Sequence, residues 1–547
     1  MKRRIFFFIG LLVLVQHAFA QPNVIQKAMQ DEIDRSMKEL QLNTFEKPCY
    51  VSCSINDVTV YAITSVLGGV VNSSELKNRV KGNRVLVGTY ELNDESLDNN
   101  LFSSPEMNDI QVPLDDDYLG VRRALWVSID NVYKNAARQH AKNVETWKEQ
   151  KKPLEEIPHR VFAKLPAVKI QNNQNFAAFD KKKWEANLRQ LTQLFVKSNY
   201  PASNLSLNYI QGYDYFESSE GTSLKLPVQR ATLQLAIIGR DEAGELVFDQ
   251  AVWAATHPDE LPTVAQLEAD IEGRLKKLEE RKKTTKFDDD YTGPVLLEGS
   301  SVADFMSALL FMGRERLMYD NNIPSLTGFR NDTRNSMESR IGKNVTSTNL
   351  SVKAWAHKKE LLGVKLLGAF EADSEGVVPP DELTLIDKGM LKDLLNDRTL
   401  TSTTQTANGH RDGPGVIQVL VSEQYNSKQL KEKLIAQAKE AGLEYAIIIR
   451  NENFGRIGLF NVYKVNLQTG AEEFQRQARF SSLSLRNLRK VSATTGEAAF
   501  NQPGFGAEGG FTSYIVPQGL LIGEVEIVRA EIPSYKEDEF VKDPLKQ

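Results

Sequence analysis

Six histidines and two cysteines are the residues of this chain best suited to metal or acid–base chemistry. The histidines stand at 17, 140, 159, 257, 357 and 410, and from 140 onward no two lie within five residues of each other. No His-Glu-x-x-His or His-x-His spacing occurs, so a zinc site, which needs imidazole, thiolate or carboxylate ligands, would have to be gathered from scattered positions. Cys49 and Cys53 lie in Pro48-Cys-Tyr-Val-Ser-Cys-Ser-Ile55, whose alternation and Val/Tyr content predict a strand. Four strand residues span roughly 13 Å, too far for a disulfide. The strongest loop candidate is Asn408-Gly-His410-Arg411-Asp-Gly-Pro-Gly415. A glycine-flanked histidine in a loop is able to approach a substrate backbone or move a proton, and Asn408, His410 and Arg411 are the substrate-cleft candidates. The competing reading is a turn whose polar side chains bond their own backbone. No residue is assigned as catalytic. Ser307 has no neighbouring base in sequence, and Pro503 to Gly510 lacks the Gly-Lys-Ser/Thr of a phosphate loop. The aspartate runs Asp115–Asp117 and Asp288–Asp290 lack EF-hand spacing and read as a helix N-terminus and a solvated linker.

The elements that must position these residues begin with a leader. Lys2-Arg3-Arg4 is a basic segment, Ile5 to Val15 is an apolar run of eleven residues, and Ala18-Phe19-Ala20 is a small-x-small cleavage pattern. Residues 1–20 are therefore expected to be a signal peptide, with export to the periplasm or medium and no membrane anchor after its removal. Loss of three basic residues takes the net charge from −5 to −8, which disfavours a nucleic-acid partner.

Residues 21–285 read as a mixed α/β region. An amphipathic helix is expected over 23–42, with Ile25, Met29, Ile33, Met37 and Leu40 on one face. Strands are expected over 58–66 and 84–92, with Gly68-Gly69 and Gly82-Asn83 as turns. Long helices follow over 115–150, with His140 at the core edge, and over 180–197. Strands over 205–215, 228–238 and 246–254 precede a helix opened by a Thr263/Gln266 capping box. The best boundary is 283–293. Residues 291–530 are strand-rich: a strand at Val295–Leu297 and a helix from Ser301, a hairpin turning at Asp387-Lys-Gly389, and strands over 416–421, 445–450, 459–465, 473–480 and 520–528. A helix over 428–441 ends at Gly442. Residues 531–547 are a polar tail. The whole reads as α+β with mainly antiparallel sheets.

The segment Tyr291-Thr-Gly-Pro-Val-Leu-Leu-Glu-Gly-Ser-Ser-Val-Ala-Asp-Phe-Met-Ser-Ala-Leu-Leu-Phe-Met312 resembles the opening of the C-terminal domain of the TldD/PmbA metallopeptidase family. Leu383 to Gly389, Thr404 to His410 and Tyr514 to Glu526 resemble later family segments. Active members carry His-Glu-x-x-x-His on this helix and bind zinc, with a C-terminal cysteine that also serves the metal. The resemblance puts Ser307, Ala308 and Met312 at the three vestigial metal-site positions, and no cysteine follows Cys53. It implies no resident cofactor and a buried structural helix in place of the metal helix. It also implies a dimer with a homologous subunit, one able to bear the intact motif, and peptides as ligands. The expectation is an exported, metal-free partner subunit or peptide-binding component of a peptidase complex. An active peptidase with a displaced metal site and a non-enzymatic envelope binding protein are the alternatives.

Overall fold

The computed structural model describes residues 23–42, 45–97, 111–198, 200, 202–241, 246–313, 315–319, 337–401, 405–451, 459–504 and 510–530. The leader, the polar tail and Thr404 lie outside them. No helix among the described residues is long and apolar enough to cross a membrane.

The first region is built on five long strands. They are β1 (Pro48–Val66), β2 (Gly69–Val87), β3 (Asn204–Ser218), β4 (Ser223–Arg240) and β5 (Leu246–Ala255), antiparallel in the order β2-β1-β3-β4-β5. Strand alternation sends Val51, Cys53, Ile55 and Ile63 of β1 to one face. The first three pack against α1 (Val24–Glu39) and α2 (Tyr118–Gln150). Ile63 packs with α3 (Lys181–Ser198) and α4 (Val264–Lys282). Thr263 and Gln266 form the expected capping box on α4. That cap is worth about 1 kcal/mol. Full burial of Leu267, Ile271 and Leu278 contributes roughly 1.5–3 kcal/mol per side chain, so packing fixes the helix on the sheet.

Two expectations are corrected here. The second strand ends at Val87, short of Leu92, and β1 begins ten residues before Val58. Gly82-Asn83 is no turn. Gly82 pairs with Ser54 inside the sheet, where a Cβ would come 2.7 Å from the serine Oγ. Here glycine relieves a cross-strand contact, a use that local turn rules do not separate from punctuation. Cys49 and Cys53 are both free thiols on β1.

In the second region β6 (Asp290–Glu298) leads into α5 (Ser300–Ser307). Two sheets flank this helix. One contains β7 (Leu350–Trp355), β8 (Leu383–Asp387), β9 (Val416–Val421), β14 (Glu497–Pro503) and β15 (Phe511–Pro517), in the order β8-β7-β9-β15-β14. The other closes on itself through β6, β10 (Tyr445–Arg450), β11 (Leu459–Asn466), β12 (Glu472–Phe480) and β16 (Gly519–Arg529), with β13 (Val491–Thr494) added on β16. Val295, Leu297, Ile447 and Ile449 face the core around α5. Leu296, Ala446 and Ile448 face α6 (Ser427–Glu440) on the other side. Cover on both faces is why Tyr445–Arg450 is apolar at successive positions. The hairpin turn is as expected, with Lys388 and Gly389 both left-handed at φ 47° and 83°.

Candidate functional site

The strand-to-helix turn that presents α5 has no room for a side chain. Gly299 has φ 65°, and a Cβ there would meet Asn451 Oδ1 at 1.9 Å. The helix is then held by burial of Val302, Ala303, Phe305 and Met306. At Ala308 it widens into a π turn that runs to Met312. In an α-helix, residues five apart point about 140° away from each other. A π turn bonds i to i+5 and brings such residues over one another. Ser307 Oγ accordingly lies 3.9 Å from Met312 Sδ. The backbone thus retains the geometry that a ligand pair spaced five apart needs, while the side chains do not fit a zinc ion. A hydroxyl, a methyl and a thioether supply no imidazole, thiolate or carboxylate. Among the described residues no three His, Cys, Asp or Glu side chains stand together as a metal-binding group.

What surrounds this turn is polar but lacks ligands. Asp304, one turn earlier, accepts a hydrogen bond from Gln502 Nε2 at 2.5 Å. Burial pushes its carboxyl up to about 7. The buried Tyr514 phenol interacts with Ser307, and burial raises it well above its usual range. Neither Met312 nor Tyr514 is a base able to activate the Ser307 hydroxyl at neutral pH. Asp304 is a single carboxyl without the second one that acid–base dyads use.

Gln502 connects α5 to a cleft between the two regions. Among the described residues β5 pairs only with β4, and β14 only with β15. These two sheet edges border an open cleft of ≈ 550 Å³ lined by Val252, Trp253, Ala254, Glu260, Ala499, Phe500 and Asn501, among others. Lys365 braces it, with Nζ 2.8 Å from Thr256 Oγ1 and 3.3 Å from Glu260, while its carbonyl accepts from Asn501 Nδ2 at 2.9 Å. Either edge offers backbone donors and acceptors to an extended chain added beside it.

The sequence-derived loop residues lie elsewhere. Asn408 Oδ1 accepts from the Asn396 amide at 2.7 Å, and its Nδ2 donates to the Leu394 carbonyl at 2.8 Å. His410 is 1% exposed, places Nδ1 2.8 Å from the Asn408 carbonyl and meets Phe370 edge-on. Burial lowers it to about 4, so the imidazole is neutral at physiological pH. His410 is thus bonded within its own turn, whereas Asn408 ties that turn to the Leu394–Asn396 segment. Arg411 joins Glu375 at 2.9 Å and Asp397 at 3.7 Å. None of the three makes a contact with Ser307, Ala308 or Met312 in the bonds described.

The turn belongs to a seam of charges between the regions that sequence reasoning missed. Arg398 is fully buried, pairs with Glu220 at 2.8 Å and lies over the Phe162 ring at 4.2 Å. Arg84 joins Glu95 and Glu375, and Arg476 joins Asp241. Asp304, Gln502 and Tyr514 were also missed. Asp304, an acid inside an apolar helix segment, was the one signal available for the site.

The fold and the α5 turn define a two-region α+β protein with a metallopeptidase-type C-terminal domain. Residues 291–475 match the PmbA/TldA metallopeptidase C-terminal domain. A candidate modulator of a DNA gyrase from Thermotoga maritima superposes with TM-score 0.54 at 13% identity, over 91% of this chain and 100% of that one. TldE from Thermococcus kodakarensis gives 0.54 at 12% identity, over 92% and 100%. A candidate modulator of DNA gyrase from Bacteroides thetaiotaomicron gives 0.53 at 12%, over 92% and 98%. No curated protein matches the sequence significantly. Residues 291–475 are therefore a domain of the PmbA/TldA metallopeptidase type, and the chain as a whole has the fold of these solved structures.

Proposed function

We propose that the chain is an exported TldD/PmbA-type homologue that binds extended peptides without a metal of its own, as a partner subunit or peptide-binding component of a peptidase complex. The observation that carries this reading is the cleft. Two sheet edges border it, and the strand on one edge reaches α5 through the Gln502–Asp304 hydrogen bond, on the helix whose π turn carries Ser307, Ala308 and Met312 instead of zinc ligands. Peptide backbone recognised along sheet edges needs no zinc, whereas hydrolysis in this family does. The homologous partner, bearing the intact His-Glu-x-x-x-His, would supply the metal and the hydrolysis.

The test uses the mature chain after chelator treatment, with a library of unstructured peptides and fluorescence anisotropy. The expected result is binding unaffected by chelator and no cleavage until a motif-bearing homologue is added. Val252 is 38% exposed in the cleft, so a larger side chain there is expected to leave the fold intact. Val252→Trp fills the cleft and is expected to weaken binding at least about tenfold. Cleavage by the chain alone that disappears with chelator would overturn the reading in favour of a displaced metal site. Absence of peptide binding would leave the non-enzymatic binding-protein alternative.

A further inference from the structure

We propose that the charged seam is a proton-operated latch between the two regions, closed in mildly acidic solution and loosened as the pH rises. The inference concerns how the regions are joined and stands whether or not the cleft takes peptides.

Three observations lead to it. First, the seam's bonds cross from one region to the other. Arg84, near the end of β2, joins Glu375 and places Nη2 2.8 Å from Thr399 Oγ1. In the other direction Arg398 pairs with Glu220 and donates to the Ala163 carbonyl at 2.6 Å, while the Ala163 amide donates to the Arg398 carbonyl at 2.9 Å. Second, the turn that carries Glu375 is buried by the first region. Ala372 packs with Phe216 and Leu224, and Gly376, at φ 78°, leaves no space for a Cβ, which would come 2.7 Å from Thr222 Cγ2. Asp373 in this turn is 1% exposed. Parting the regions would return it to water.

Third, the cations are already matched. Arg84, Arg398 and Arg411 serve Glu95, Glu220 and Glu375. Arg160 donates to the Glu95 carbonyl, and Lys164 lies over the Tyr90 ring. Asp397 meets Arg411 at 3.7 Å. Asp373 accepts from the backbone amides of Glu375, Val377 and Arg411 at 3.0, 2.9 and 3.5 Å, beside the carboxyls of Glu375 and Asp412. His410 is neutral, and the Tyr50 and Tyr90 phenols stay protonated. An acid buried without a cation of its own holds its proton.

Burial, with the Glu375 charge, pushes the Asp373 carboxyl up to about 7 and the Asp397 carboxyl up to about 6. In the parted state both return to about 4, so the closed state binds their protons more tightly. That advantage is full below the ordinary carboxylate value and is lost progressively as pH rises from about 4 through about 7. Against the burial of Glu375, Arg84 and Arg411 hold its carboxyl below its usual range, so these ion pairs persist in mild acid. Asp94 is raised too, but it is bonded to the Val87 amide and lies under Asn143 of α2, within the first region, so parting leaves it buried. Between pH 6 and 8 ionisation of Asp373 raises the opening constant about tenfold and that of Asp397 about twofold.

The experiment is hydrogen–deuterium exchange on the mature full chain at pH 6 and pH 8, with intrinsic rates divided out. The Ala163 amide, bonded across the seam, is the reporter, and the amides of α3 are the reference. Protection at Ala163 is expected to fall about twentyfold between the two pH values while α3 stays constant. Asp373→Asn keeps an acceptor in the turn but cannot ionise, so it should leave only about a twofold fall. Asp373→Asn with Asp397→Asn should leave none. Unchanged protection of α3 shows that the variants are folded. A flat or rising wild-type profile, a fall shared by α3, or a full fall kept in the double variant would overturn the proposal. Peptide anisotropy on the same samples reads the cleft separately, so that failure of the latch with peptide binding intact affects this inference alone.

Discussion

The α5 segment and the inter-region seam treat polar groups in opposite ways. Around α5 the backbone is specialised, with a left-handed glycine entry and a π turn, but the side chains at 307, 308 and 312 carry no charge. At the seam the side chains are charged, with Arg398–Glu220, Arg84–Glu375 and Arg476–Asp241 joining distant parts of the chain. Burial of Phe305, Met306 and Leu310 holds the geometry of this segment without any charged side chain at those three positions. The charges that remain are those holding the two regions around their cleft.

The largest expected effect of a single substitution is at the seam. Arg398→Ala leaves Glu220 buried without its cation and removes the stack on Phe162, so a loss of about 3–5 kcal/mol is expected in denaturant unfolding. A loss below about 1 kcal/mol would mean that the seam is not what joins the regions. A second effect is at acid pH. His410 is held neutral in the fold, so the unfolded chain binds the extra proton. Stability is full above the ordinary histidine range and falls as pH drops from about 6.5 toward about 4, by at most on the order of 3 kcal/mol. His410→Gln should flatten that limb in unfolding curves at stepped pH. An unchanged limb would place the acid sensitivity elsewhere.

The α5 segment should show the opposite sign. The Asp304 carboxyl is raised to about 7, so the folded chain holds its proton more tightly than the unfolded chain. Its contribution is fully present below the ordinary carboxylate value and is lost progressively as pH rises from about 4 through about 7. Asp304→Asn should reduce the decline between pH 6 and 8, by an amount on the order of 1 kcal/mol. A steeper decline in the variant would contradict the sign. The smallest effect is expected at Ser307 and Met312. Ser307→Ala with Met312→Leu should change stability by less than about 1 kcal/mol, because each swap roughly conserves volume. Peptide affinity should stay unchanged, and a large loss would show that the hydroxyl or thioether touches the ligand.

Periodicity made the helices legible, and alternation most of the strands. Trp184, Leu188, Leu191 and Phe195 are buried as their spacing requires, and Asp117 caps α2 where its run of acids pointed to a helix start. Local rules failed where a residue's role is set across the sheet, as at Gly82. They failed again at β7, β14 and β15, whose short alternations gain meaning only from the strands beside them. The candidate site was half legible. The α5 helix followed from one segment, yet the π turn within it depends on packing. Gln502 reaches Asp304 from 198 residues away. His410 was read in two ways from its glycines, and its burial beneath Phe370 is a tertiary fact. Arg398 and Glu220, 178 residues apart, carry no mutual signal in one sequence.

The central claim, a peptide cleft kept beside a reaction centre without its metal, is tested most directly by elemental analysis of the chain purified without chelator, alone and loaded with a tightly bound peptide. The account predicts well under one equivalent of zinc per chain in both samples, with the peptide recovered intact. One zinc per chain, together with cleaved peptide, would contradict it.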